Sequence, residues 1–146
     1  MGSILPRFTH GPRTYEAVEA LAGGYVVEAR AGGVDNPAVG IAADASKTVL
    51  GVAQKDANPT GDAPRTPVVG VLDVTLAPKE VAVINNAYVP VKYGAACAYG
   101  AIVCSAGGGN VRPATAAEIG AGAAIGKCVE KGGVALNGIG LTRINV

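Results

Sequence analysis

The sequence predicts an all-β fold: one compact domain of two similar halves over residues 14–146, preceded by an extended N-terminal arm over residues 1–13. Three observations predict it. Glycine accounts for 22 of the 146 residues and proline for nine; that is about twice the usual share of glycine. These residues separate short Val/Ile/Ala runs and follow no G-X-Y period, which is the pattern of many short strands joined by turns. Long helices would not tolerate so much glycine. The second half of the chain also echoes the first, with residues 22–74 resembling 98–144.

Each element follows from local chemistry. In the arm, Pro6, Gly11 and Pro12 break any regular element, and Arg7 and Arg13 make it mildly basic. Residues 15–20 alternate weakly, 24–29 follow a Gly-Gly turn, 39–42 are short and apolar, and 49–53 form an apolar run with one glycine. Residues 54–67 are a polar loop with three prolines, a surface connection of the kind that carries contacts. Residues 68–74, 80–84 and 87–91 read as further strands.

The echo begins with Gly24-Tyr25-Val26-Val27, which matches Gly100-Ala101-Ile102-Val103. At the same spacing, Gly32-Gly33 and Pro37-Ala38 match Gly108-Gly109 and Pro113-Ala114. With one residue deleted, 49–53 aligns with 124–128, and 70–74 resembles 140–144. Two copies are too few for a solenoid and suit two intertwined β-halves sharing a core. One short helix is expected at 114–119, with Thr115 as cap, Glu118 completing a capping box, and Gly120 and Gly122 ending it. Residues 42–47 would make the matching turn in the first half.

The composition excludes several functions. Twelve basic against eleven acidic residues leave a formal charge of +1, and there is no Trp, one Phe and five Tyr. That is neither a polyanion footprint nor a base-stacking platform, so no direct nucleic-acid partner is expected. No apolar run is long enough to span a bilayer as a helix, and the first residues lack the apolar core of a secretory signal. Pro6 breaks the myristoylation pattern, and the central Pro59 excludes Asn58 as a glycosylation acceptor. No membrane partner is expected.

Catalytic constellations are missing as well. Nucleophilic catalysis needs a base within reach of the nucleophile, and the only histidine, His10, lies in the arm. Cys97, Cys104 and Cys128 match no zinc spacing and are odd in number, so they read as small buried hydrophobes in a reducing compartment. The acidic residues read as a solvated face. Gly107-Gly108-Gly109 precedes no helix and reads as a hairpin loop through Asn110 to Pro113. The stretch from Gly120 to Cys128 misses a phosphate-binding loop at Ala121 and Cys128. Lys79 and Lys92 lie near the midpoint but lack the flanks of a lipoyl or biotinyl lysine. No catalytic residue, no cofactor and no metal are expected.

The segments GGYVVEARAGG, TVLGVAQKDA and GKCVEKGGVALNGIGLTRINV give residues 15–146 a texture that resembles the decoration, or cement, proteins of tailed-phage capsids. The resemblance implies a β-barrel or β-tulip-like domain, trimers on the outer surface of a phage head, and an arm that reaches the major capsid protein. It also implies synthesis in the host cytoplasm and stabilisation of the shell against internal DNA pressure. Arg7, Phe8 and Arg13 are the expected capsid contacts, because Phe8 is the sole phenylalanine and is flanked by arginines. Three alternatives remain: another head or tail component such as a head-fibre base, a small cysteine-dependent enzyme, and a small-molecule-binding barrel, the last disfavoured by the shortage of aromatics.

Overall fold

A computed structural model of the chain describes residues 12–59 and 79–146. The described strands are β1 (Arg13–Ala17), β2 (Val26–Arg30), β3 (Ala38–Ile41), β4 (Val49–Ala53), β5 (Glu80–Ile84), β6 (Ala87–Lys92), β7 (Ile102–Ser105), β8 (Val111–Pro113), β9 (Gly126–Cys128) and β10 (Ile139–Ile144), with a single helical turn, α1 (Ala116–Gly120), after β8. The all-β class is as the sequence predicts. Arg7 and Phe8, residues 68–74 and most of the polar loop lie outside the described residues. Arg13, which the sequence places in the arm, opens β1 opposite Val83.

The first five strands close into a barrel in the order β1-β3-β2-β4-β5. β1 runs antiparallel to β5 and parallel to β3, so no strand of this sheet is left with a free edge. The other five form a sheet in the order β6-β10-β9-β7-β8. With β6 standing for β1, and so on through β10 for β5, the neighbours are the same. Even the parallel closure has a counterpart, because Tyr93 bridges Val111 in parallel as Ala17 does Val39. The Leu21–Ala57 bridge is repeated by Cys97–Val134.

The pairing corrects two details of the sequence echo. The loop between facing Ala29 and Val39 holds nine residues, 30–38, whereas that between Ser105 and Val111 holds five, 106–110. Pro37 and Pro113 are therefore not equivalent; Pro113 faces Val103 as Ile41 faces Val27. The counterpart of β10 is β5, not residues 70–74. A third correction concerns 42–47, which form no helix. Ala45 there takes a positive φ of 50°, and the Ala45 and Ser46 amides donate to the Ser105 carbonyl and hydroxyl at 2.9 and 3.0 Å. The helix predicted at Thr115 is present with its capping box: the Thr115 amide donates to Glu118 at 2.7 Å and the Glu118 amide to the Thr115 hydroxyl at 3.3 Å.

Side chains alternate across each strand, which separates two cores. The barrel interior holds Ala17, Leu21, Val27, Val39, Ala53, Ala57, Val81 and Val83. The larger core joins the halves: Val26, Val49 and Val52, on the barrel's outer side, pack with Tyr93, Val103, Val111, Ile125 and Ile144 of the second sheet, and Ile84 packs against them. By the pairing, Lys127 and Arg143 occupy in the second half the positions of Val52 and Ile84 in the first.

Gly51 and Gly126 are equivalent, and both sit where facing backbones come close. A Cβ at Gly51 would run into the Ile84 carbonyl oxygen, and one at Gly126 into that of Arg143. Gly120, at the end of α1, has nothing within reach of an added Cβ. Gly126→Ala is therefore expected to lower stability by about 2 kcal/mol or more. Gly120→Ala should raise it by up to about 1 kcal/mol. Urea unfolding of the two variants checks this, and equal effects would contradict the close-approach account.

Candidate interaction surface

The chemistry-bearing side chains of the interior are spent on structure. Cys97, Cys104 and Cys128 are buried and unbridged. Cys97 stands where the first half has Leu21, and Cys128 where it has Ala53. Burial, reinforced by neighbouring Cys128, pushes the Cys97 thiol up to about 11, and burial raises that of Cys104. The fully buried Tyr93 hydroxyl is bonded to Thr142 at 2.6 Å, and burial raises its pKa as well.

Two ionic assemblies brace the surface. Arg112 on β8 donates to Asp44 of the first half at 2.9 and 3.1 Å and to Glu118 at 3.0 and 2.6 Å. The guanidinium, aided by the Thr115 cap, holds the Glu118 carboxyl at about 2. The second assembly surrounds Glu16, which is only 2% exposed. Its carboxylate accepts the amides of Val34, Asp35 and Asn36 at 3.0, 2.7 and 3.1 Å and pairs with Lys79 at 2.9 Å. Lys79 first, and then these amides, hold its pKa at about 2 against the opposing effect of burial. The result is a fixed loop with Val34, 84% exposed, at its tip.

An exposed face with apolar side chains lies on β6 and β10. Gly140, Thr142 and Ile144 point inward, so Ile139, Leu141 and Arg143 point out, beside Tyr88, Pro90 and Lys92 of β6. Tyr88 is 62% exposed, Ile139 72% and Leu141 38%. Lys127 of β9 faces Arg143 on the same side. This face is not among the contacts expected from the sequence, although the alternation of residues 139–144, with apolar side chains on both faces, is its signal. Of the expected contacts, only Arg13 is described. It is exposed and lines an open groove with Tyr15, Leu50, Val83 and Val146, and it makes no ion pair among the described residues.

The arrangement is that of a β module with an exposed apolar face bordered by Lys92, Lys127 and Arg143. No protein-family model and no curated protein matches the chain. Among solved structures it is similar to the crystal structure of the head fiber gp8.5 N base in bacteriophage phi29, with a TM-score of 0.63 and 16% identity, over 92% of this chain and 93% of that one. At this identity the likeness is one of fold, and it extends over nearly all of both chains.

The lowered pKa values set an acid limit. Glu16 and Glu118 have folded pKa values of about 2 against an ordinary 4.5. Their contribution to stability is full above 4.5 and is lost as pH falls from there toward 2. Glu16→Gln is expected to lower the thermal midpoint at neutral pH and to approach the wild type at the acid end. Melting curves across that range check this, and a constant gap would contradict it.

Proposed function

We propose that this chain is a structural protein of a tailed-phage head, seated on the outer surface of the shell as a decoration or cement protein and assembled as a trimer. The observation that carries the reading is the end-to-end fold likeness to the base of a phage head fibre. The braced surface and the scarcity of reactive groups agree with it. A cement protein adds contact area across shell junctions, where a standard protein interface buries about 1,600 Å². Repetition over symmetric sites, and avidity within a trimer, let modest single contacts resist the pressure of packaged DNA. The arm, with Arg7 and Phe8, is proposed as the contact with the major capsid protein, and Arg13 as the residue at its root.

The same likeness favours a second reading, the base of a head fibre. The two differ in the assembly they form: a cement protein is a compact trimer on the shell, and a fibre base belongs to an elongated or sixfold assembly.

Purified particles from the source of this chain decide the matter by quantitative protein stoichiometry. A near-equimolar copy number, with shell stability lost when the chain is stripped, is the expected result. An elongated or sixfold assembly of the chain in electron micrographs of the same particles moves the reading to the fibre base, and absence from every particle overturns both. Deleting residues 1–11 is expected to abolish attachment to stripped shells while leaving the melting curve unchanged. Undiminished attachment would remove the arm from the account.

A further inference from the structure

We propose that copies of this chain join head to tail, the face of β6, β9 and β10 on one copy receiving the Val34 loop of the next. This supplies the contact for the self-assembly proposed above and rests on that part of the reading alone, not on the shell.

The receiving face is apolar at its centre, with Ile139, Leu141 and Tyr88 exposed. Lys92, Lys127 and Arg143 surround it, and none of the three makes an ion pair among the described residues. Arg143 and Lys127 stand directly opposite each other in register. Like charges in that position destabilise a sheet. The acid nearby, Glu130, accepts the Leu141 amide at 3.0 Å and leaves the face net positive. An apolar surface with a repelling pair of cations calls for a partner that is apolar and anionic.

The chain carries such a partner. Val34 projects from its loop with exposed Asp35 beside it, and Asn36 links the loop to the exposed carboxylate of Glu80 at 3.4 Å. Lys79 is committed to Glu16, so the outward charge of the tip is that of Asp35 and Glu80. The three amide bonds to Glu16 already fix the loop, so docking costs little further ordering. The two surfaces match in both apolarity and sign. Repeated head to tail, the contact is heterologous and closes into a ring or runs on as a filament. A nucleic-acid partner fits less well, because Ile139 and Leu141 occupy the centre of the face.

Sedimentation velocity of the full chain over a wide concentration range, at low and high salt, tests this without any shell. The wild type is expected to self-associate, less strongly at high salt. Lys127→Glu with Arg143→Glu, and separately Asp35→Lys with Glu80→Lys, should each weaken association at least about tenfold. The chain carrying all four substitutions should recover it, which also shows that the altered chains fold. A wild type that stays monomeric throughout overturns the proposal. So do reversed-charge chains that associate like the wild type, or a folded fourfold chain that stays monomeric. Self-association without affinity for phage particles would leave this contact standing and reject the shell reading.

Discussion

Burial of Val26, Val49 and Val52 beneath the second half is the constraint on which the remaining structure depends. A closed barrel satisfies its backbone but has an outside, and on β2 and β4 that outside is apolar. Uncovering three valines costs on the order of 5 kcal/mol. That is comparable with the whole stability of many small domains. The barrel therefore does not stand alone. The second sheet supplies the cover, and it can do so because it meets itself only at the Tyr93–Val111 bridge and leaves room for residues 24–26 at its opening. There the Val26 amide donates to the Gly109 carbonyl at 2.9 Å.

Once the halves must share a core, the polar groups at their junction need partners. Ser105 donates to the Ala43 carbonyl at 2.6 Å and accepts the Ser46 amide. Arg112 reaches from β8 to Asp44. These contacts take up the loop between β3 and β4, which explains why residues 42–47 take an irregular path and form no helical turn. In the second half, the corresponding stretch carries α1 and its cap, and Glu118 turns back to hold Arg112. The helix acts as a brace for the junction more than as an independent element.

Much of this was legible in the sequence, for reasons that can be named. The strand runs 49–53 and 80–84 were readable because valines alternate or cluster between breakers, and Gly51 could be aligned with Gly126 because both positions forbid a side chain. The capping box at Thr115 was readable because it is a purely local motif. The equivalence of Pro37 and Pro113 failed because Gly-rich turns match by composition, whereas register depends on which residues face each other across the sheet. The candidate surface was harder for the same reason. Ile139 and Leu141 read as ordinary strand residues until the inward side of β10 is known to be filled by Gly140, Thr142 and Ile144. Glu16 read as part of a solvated acidic face, because nothing local reveals that three amides from a loop 18 residues downstream will converge on it.

With Lys127 and Arg143 where the first half has Val52 and Ile84, the two halves make unequal demands on their surroundings. A second half with valine and isoleucine at those places would carry the same continuous apolar outer face as the first and need the same permanent cover. Placing two cations at that spot removes the demand. The second half can cover the first and still stand in water, and any further copy that it meets has to answer its charges as well as its apolar centre.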